Sequence, residues 1–265
     1  MLEQLKGTQR IGETNAFIVT SMRDLFADVD VKYPNGFNPE WIGAPKKDVI
    51  GWLDGTIINP SVSIFRDAYE SSIPASILTI ENDISGAAPD VAAYCAGLPE
   101  SMLYQCESSS YITPLRVWVN FAVWSGTSTT DAARAFAEIA KALYGISLAR
   151  PVELNLFSIG SNKRDSQGNI AAYIIPIDLT GDIQSVANAF SAVLYRAVLV
   201  DAQYVACKSD GNVYPCFQDN PRESLDFIGA GQSDLYIPNF FENERLLSDP
   251  ADEIRKIIDK HNHAN

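Results

Sequence analysis

One segment in the middle of the chain restricts the fold more than any other. Residues 115–124 read LRVWVNFAVW, with β-branched and aromatic side chains at both odd and even positions. A strand with one face in water alternates polar and apolar residues, and this segment has no continuous polar face. It therefore predicts a β-strand that is covered on both faces, as strands in α/β proteins are.

A helix is predicted directly after this strand. Ser128 and Asp131 have the spacing of a capping box, in which a serine side chain accepts a hydrogen bond from the first turn. The apolar residues of 132–143 recur on one helical face, and Gly145 is the expected stop. The central strand, the loop that follows it and this helix therefore form a strand–loop–helix unit.

The next elements extend the same pattern. Residues 152–158 and 170–177 predict two strands, and Pro176 places the second at a sheet edge or close to its own end. Asp182 begins a helix with a wide apolar stripe that reaches Ala197. The order strand–helix–strand–strand–helix predicts an α/β fold with a central mixed β-sheet flanked by helices.

Composition places the chain among proteins with a substantial core. The 265 residues are 46% hydrophobic, and their length suits a single α/β domain over 1–265. The first residues lack a signal-peptide pattern, and no run of ~18 apolar residues predicts a membrane span. We therefore expect an intracellular protein without membrane contact, and homo-oligomerisation is left open.

The net charge of −13 is unevenly distributed. Residues 102–200 hold seven acidic and seven basic residues, so the charge lies in the flanking segments 1–101 and 201–265. The overall charge disfavours a protein that coats duplex nucleic acid. It leaves room for a short cationic path on the central block, with acidic flanks for a protein partner.

Several catalytic motifs are missing from the sequence. There is no phosphate-binding GxxxxGK[ST] loop, and the only histidines are His261 and His263 near the chain end. The four cysteines lack CxxC spacing, so we expect reduced thiols, with a disulfide between Cys207 and Cys216 as the alternative. These absences favour a non-enzymatic protein without a cofactor, and an enzyme that uses paired carboxylates is the remaining alternative.

The loop after the central strand resembles the metal-dependent adhesion site of von Willebrand A domains. In that site a strand ends in Asp-x-Ser-x-Ser, and here Ser125-Gly126-Thr127 occupies the serine region. The aspartate position holds Val123, so the loop lacks the carboxylate that a hard divalent ion needs. The resemblance implies a distantly von Willebrand A-like fold without the metal site. A protein-interaction module that does not bind nucleic acid is the corresponding alternative function.

Six residues are candidate contacts to a nucleic acid. They are the cations Lys163, Arg164, Lys46 and Lys47 and the aromatic residues Trp124 and Tyr173. The first two cations lie in the long polar segment 160–169 between two predicted strands, and the second two lie near tryptophans. Aromatic rings can stack on bases, although core packing is the expected role of Trp118 and Phe121.

Three segments resemble a family of tailed-phage proteins. They are Gly51-Trp-Leu-Asp-Gly55, the stretch Gly86-Ala-Ala-Pro-Asp-Val91 with 96–102 (AGLPESM), and Val117-Trp-Val-Asn120 leading to Ser125-Gly126. The resemblance covers roughly residues 45–160. The chain departs from the pattern near the start of the central helix, where Ala133-Arg134-Ala135 replaces an expected arginine-glycine pair.

The resemblance implies a function within such phages. Enquatrovirus-type podophages encode a cofactor that binds single-stranded DNA and recruits the phage's own two-subunit RNA polymerase to melted promoters. A chain that resembles it would act in the host cytoplasm, with single-stranded DNA and the phage RNA polymerase as partners. Single-strand binding through cations and stacked aromatic rings is compatible with an acidic exterior.

Overall fold

The computed structural model describes most of the chain. The described residues are 8–11, 15–32, 37–71, 80–83, 88–89, 91–97, 102–105, 114–123, 126–163, 168–208, 213–215 and 221–264. The chain divides into two compact units, residues 1–72 with 114–265, and residues 73–113. The boundaries of these units reflect packing. They differ from the boundaries at residues 101 and 200, which separate the acidic flanks from the neutral central block of the sequence.

The described residues form ten strands and twelve α-helices. The strands are β1 Thr8–Ile11, β2 Ala16–Val19, β3 Ile80–Asp83, β4 Ala88–Pro89, β5 Met102–Gln105, β6 Leu115–Asn120, β7 Val152–Ser161, β8 Ile170–Ile177, β9 Tyr214–Pro215 and β10 Leu235–Ile237. The helices are α1 Met22–Lys32, α2 Pro39–Ile42, α3 Lys46–Asp54, α4 Ser61–Glu70, α5 Val91–Cys95, α6 Thr129–Ser147, α7 Ile183–Ala189, α8 Ala192–Leu194, α9 Asp201–Cys207, α10 Pro221–Ile228, α11 Arg245–Ser248 and α12 Pro250–Ala264. A π-helical turn, Tyr195–Val200, joins α8 to α9.

The larger unit is an α/β domain built on a mixed sheet, as the sequence predicts. Five strands form its body in the order β2-β8-β7-β6-β10, and only the β8–β7 pair among them is antiparallel. Strand β1 adds an antiparallel edge beside β2, and β9 pairs with the end of β7. The smaller unit contains an antiparallel sheet in the order β3-β5-β4 and helix α5. The likeness to von Willebrand A domains stays a prediction.

Both faces of the main sheet are buried, as the central segment predicts. On one face Val117, Val119 and Leu156 belong to the main core, to which α1, α3, α4 and α6 contribute. On the other face Trp118 and Phe157 belong to a smaller cluster with residues of α10. The core role expected for Trp118 and Phe121 is confirmed, because their exposed fractions are 7% and 0%.

Three predicted element ends were wrong for local reasons. Strand β6 ends at Asn120, whose side-chain oxygen accepts a hydrogen bond from the Ala122 backbone and turns the chain. Helix α6 continues through Gly145 to Ser147, because Tyr144 and Ile146 on either side pack against the core.

The third error concerns the long helix predicted from Asp182 to Ala197. It breaks after α7, and the Ser191 side chain caps the next turn by accepting from the Leu194 backbone at 3.4 Å. The two helical parts meet at an angle of 47°. The break lets the buried residues of both parts follow the curved surface of the core. Pro176 is the next-to-last residue of β8, so the prediction that the strand ends close to this proline was right. Strand β8 lies inside the sheet, so the alternative prediction of an edge strand was wrong.

Candidate nucleic-acid interface

The first two predicted cations belong to the connection between β7 and β8. These strands form an antiparallel hairpin in which Ser161 pairs with Ile170. Lys163 is exposed just after β7. Arg164 lies outside the described residues, as does Trp124. Because β7 runs parallel to β6 and β10, Lys163 lies at the carboxyl edge of these three strands, where ligands of α/β sheets commonly bind.

Hydrogen bonds hold the described ends of this connection in a fixed shape. The Lys163 backbone N–H donates to Ser161 Oγ at 3.1 Å, and Asn162 Oδ1 accepts from the Asn169 backbone at 2.9 Å. A methyl group added at Gly168 would lie 2.0 Å from Asn162 Oδ1, so a larger residue there would displace the Asn162 side chain from its hydrogen bond with Asn169. Lys163 therefore projects from an ordered base.

The same base connects to the end of α9. The Asn169 side chain donates to the Cys207 carbonyl at 3.1 Å, and Lys208 follows as the C-terminal cap of α9. Lys208 is exposed and has a φ of +51°, in the left-handed region that usually holds glycine at a helix end. A lysine in this position costs about 1–2 kcal/mol relative to glycine. Lysine charge beside a helix C-terminus is in turn favourable.

Two tyrosines lie beside these lysines. Strand β9 places Tyr214 opposite Ser161, and Tyr204 is one turn before Lys208 on α9. Both are half-buried, and burial followed by the neighbouring charges of Asp201 and Tyr214 raises the pKa of Tyr204. We call Lys163, Lys208, Tyr204 and Tyr214 the lysine–tyrosine patch. It combines cations and aromatic rings at one end of the sheet.

The second predicted pair of cations, Lys46 and Lys47, does not belong to this patch. Lys46 Nζ lies 2.6 and 2.7 Å from the two carboxylate oxygens of Asp30, so its charge is already engaged. Lys47 is exposed on the first turn of α3. Trp52, which was expected to accompany them, is only 7% exposed and belongs to the core. No contact within the described residues joins these lysines to Lys163.

Tyr173 is not part of a binding surface, and the prediction that it stacks on a base was wrong. Its side chain has no exposed area and its hydroxyl donates to the Ala202 carbonyl at 3.2 Å. Its ring packs against Phe17 with the centroids 5.3 Å apart. Tyr173 cannot stack on a base because it lies on an interior strand beneath α9, where protein covers its ring.

An acidic pair marks the other end of α9. Burial, together with the nearby charge of Asp30, raises the pKa of Asp201 to about 7. Helix α9 has seven residues, so Asp201 is about 9 Å along the helix axis from its last residue. The helix therefore separates an acidic end from the end that carries Lys208.

A half-buried carboxylate, that of Glu242, lies at the carboxyl ends of β6 and β10. Glu242 accepts hydrogen bonds from Tyr236 Oη at 2.5 Å and from the side-chain amides of Asn120 and Asn239, both at 3.0 Å. These donors favour the charged form, but burial has the larger effect and raises the pKa of Glu242 to about 7. The cluster fixes the chain after β10 to the end of β6, and it does not line a described cavity.

The described residues contain no group of three metal-ligating side chains close enough to hold an ion. The Val123 side chain is buried, and Ser128 caps α6 by accepting from the Asp131 backbone, as predicted. The Cys207 thiol is buried and donates to the Gly160 carbonyl at 3.3 Å. Its proposed partner in a disulfide, Cys216, lies outside the described residues.

The sequence reasoning missed three of the four residues of the patch. Lys208, Tyr204 and Tyr214 fall in a part of the chain with weak strand and helix signals. The signal that was available is the short separation of Tyr204 and Lys208 in the sequence, which places an aromatic residue about one helical turn from a cation. Placing Tyr214 beside Lys163 requires knowing that β9 pairs with β7.

Comparisons with protein-family models, with curated proteins and with solved structures found no match for this chain. Among the described helices, no single one has the length and apolar character of a membrane span. Helix α7 and the continuous helical stretch from α8 through the π-helical turn to α9 reach that length only together, as a bent pair.

Proposed function

We propose that this protein is a non-enzymatic phage protein that binds single-stranded DNA through the lysine–tyrosine patch and recruits the phage RNA polymerase to melted promoters. The observation that supports DNA binding is the patch itself. It places two exposed lysines and two half-buried tyrosine rings at the carboxyl edge of the main sheet.

The lysines are suited to phosphate contacts. Within the described residues, neither Lys163 nor Lys208 has an acidic side chain at ion-pair distance, whereas Lys46 is held by Asp30. An exposed cation without a protein partner remains available to a phosphate oxygen, and each such contact releases counterions from the DNA. The acidic residues elsewhere in the chain repel DNA phosphates, so the contact with DNA is limited to the surface around these lysines.

The tyrosines are suited to unpaired bases. A base in a single strand exposes its ring faces, and stacking on an aromatic side chain contributes ~1–3 kcal/mol for each base. A duplex covers these faces by its own stacking. The patch therefore favours single strands over duplexes, and it selects little among base sequences because every base has a ring face.

The polymerase part of the proposal rests on the resemblance to the phage cofactor. A recruiting protein needs a second surface that remains accessible when DNA is bound. The acidic segments outside 102–200 provide charge for such a contact.

The test is binding of a labelled single strand and its duplex, measured by fluorescence anisotropy at two salt concentrations. We expect the single strand to bind more tightly, with a logarithmic salt slope near −1.4 for two phosphate contacts. The double variant Lys163→Gln with Lys208→Gly should lose most of the affinity and the salt slope. Lys260→Gln, an exposed lysine on α12, is the matched control and should bind like the parent.

No anisotropy change at low salt with protein on the order of micromolar concentration would refute DNA binding, given the usual strength of non-specific contacts. Equal affinity for single strand and duplex would refute the role of the tyrosines. Unchanged binding in the folded double variant would remove the patch as the site.

A further inference from the structure

We infer that a pocket at the start of α6 binds an arginine side chain presented by a protein partner. The pocket has a volume of about 530 Å³ and is formed by the loop before α6 and the chain around α11. The lining residues that matter are Thr127, Asp131, Phe240, Phe241, Glu244 and Leu247. We call these six residues the aromatic–acidic pocket.

Partly buried hydrogen bonds shape both walls before any partner binds. On one wall, Arg196 is 3% exposed and its Nη2 donates to the Thr127 carbonyl at 2.8 Å. On the other wall, Asn239 Oδ1 accepts from the backbone N–H groups of Phe241 and Glu242 at 2.9 and 3.0 Å. Little ordering of the chain is therefore required on binding, and preformed sites lose less affinity to entropy.

The charges in the pocket favour a cation. Glu244 is exposed and forms no ion pair within the described residues. Asp131 Oδ1 lies 3.5 Å from Arg134 Nη1, but both side chains are more than half exposed, so this pair is weak and can be exchanged. Two carboxylates thus line the pocket, and the Glu244 carboxylate has no ion pair within the described residues.

The apolar part of the pocket selects arginine among cations. Phe241 is 37% exposed, and Phe240 and Leu247 supply a more buried apolar surface. A guanidinium is planar, so it can stack on a ring and bind a carboxylate with two hydrogen bonds at once. A lysine ammonium is strongly hydrated and lacks this planar shape.

An anion is the competing occupant. The positive end of α6 lies here, and helix N-termini attract anions. Against this, the Ser128 side chain already caps the helix and Asp131 places a carboxylate in its first turn. A bound anion would face two like charges, so the lining favours a cation.

The inference goes beyond the proposed DNA contact and uses none of its residues. It identifies the partner by chemistry, as a protein that exposes an arginine on its surface. A contact of this kind would leave the lysine–tyrosine patch uncovered.

The test uses the full chain and the capped tripeptide Gly-Arg-Gly, followed through the backbone amide signals of Thr127, Phe241 and Glu244 by NMR. The comparison probes are Gly-Lys-Gly, Gly-citrulline-Gly, which keeps the shape of arginine without its charge, and inorganic phosphate. We expect saturable shifts with the arginine peptide, weaker binding of the lysine peptide and no saturable shifts with citrulline or phosphate.

Two variants make the result specific. Glu244→Gln should weaken arginine binding roughly two- to fivefold, the effect of one exposed ion pair. The matched control is Glu40→Gln, an exposed acid on α2, which should bind the peptide as the parent does. Phe241→Ala should also weaken binding, and amide spectra report whether each variant is folded.

Equal binding of the citrulline peptide, shifts at these amides with phosphate alone, or unchanged affinity in Glu244→Gln would each overturn the inference. The variant Lys163→Gln with Lys208→Gly distinguishes it from the DNA proposal. That variant should lose DNA and retain the peptide, so failure of either site is visible separately.

Discussion

The lysine–tyrosine patch and the aromatic–acidic pocket lie at the same edge of the main sheet and carry opposite charge. Strand β7 continues four residues beyond the position opposite Asn120, the end of β6, so it projects about 13 Å further. The patch occupies this projection, whereas the pocket lies where β6 and β10 end.

The two surfaces also differ in how they are supported. Hydrogen bonds between uncharged groups support the lysine side of the patch. The Asn169 backbone N–H donates to Asn162 Oδ1, and the Asn169 side chain donates to the Cys207 carbonyl. The walls of the pocket are supported by ionisable groups, the buried Arg196 and the half-buried Glu242 with its hydrogen-bond partners. The difference predicts that the pocket side responds to pH through Glu242, while the hydrogen bonds below the lysines join uncharged groups. The following predictions test this difference.

Among the following predictions, removing the rings of the patch should have the largest effect. In the double variant Tyr204→Ala with Tyr214→Ala, we expect single-strand affinity to fall by ~1–3 kcal/mol for each stacked base that is lost. The salt slope should stay the same because the lysines remain. Anisotropy titrations at two salt concentrations measure both quantities. The Tyr→Phe pair keeps the rings and should bind as the parent does; equal loss in that pair would mean that the hydroxyls, rather than the rings, contact DNA.

The second prediction concerns the close contact beneath the patch. A methyl group added at Gly160 of β7 would lie 2.5 Å from Val213 Cγ1 and 2.8 Å from Gln203. Gly160→Ala should therefore lower the free energy of unfolding by about 1–3 kcal/mol, as overpacking in a core does. Urea denaturation measures the loss. Gly145→Ala is the control, because nothing lies within 4 Å of the added group and the residue is in a helix. Equal stability of the two variants would contradict the close packing of α9 on β7.

The third prediction concerns pH and the pocket side. The pKa of Glu242 is about 7 in the folded protein and 4.5 ordinarily, so the folded state binds this proton more readily than the unfolded chain. The resulting stabilisation is complete below pH 4.5 and is lost as the pH rises to about 7. Glu242→Gln should reduce the fall in unfolding free energy between pH 5 and pH 7.5, measured by urea denaturation at several values.

Asp201 has a raised pKa of about 7 as well, so the pH dependence should be reduced and not abolished in Glu242→Gln. The double variant with Asp201→Asn should be flatter still. A pH profile that is identical in the parent and in Glu242→Gln would show that the cluster around this carboxyl does not titrate in this range.

The smallest effect is expected at the helix end that carries Lys208. Lys208→Gly relieves the left-handed backbone conformation and should raise the unfolding free energy by up to ~1 kcal/mol. It should at the same time weaken single-strand binding, because one phosphate contact is lost. Opposite changes in stability and binding are informative, since a lysine without a DNA contact would change the stability and leave the binding unchanged. Unchanged affinity would remove Lys208 from the patch.

Local sequence patterns were sufficient for the elements with strong periodicity. The α/β class follows from residues 115–177, where apolar runs, a capping serine and two further strands come in an unambiguous order. Helix α3 ends at Asp54, and Gly55 follows it with a φ of +73°, which is the conformation that glycine commonly supplies at a helix end. Glycine, proline and serine act on their own neighbours, so their effects can be inferred without knowing the rest of the fold.

The site could be predicted only in part because it is assembled from distant segments. Lys163 was identified from its long polar connection. Tyr173 was misassigned, because one residue on an interior strand gives no sign of which helix covers it. The two-residue strand β9 has no detectable pattern, yet its pairing with β7 is what brings Tyr214 to the patch.

Photo-crosslinking tests the central claim most directly. A single-stranded oligonucleotide with 5-iododeoxyuridine forms covalent adducts with the aromatic side chains on which its bases stack, and peptide mass spectrometry locates them. We predict adducts on Tyr204 or Tyr214, and their loss in Lys163→Gln with Lys208→Gly. Adducts confined to Trp41 or to other residues outside the patch, on protein that demonstrably binds the oligonucleotide, would contradict the account.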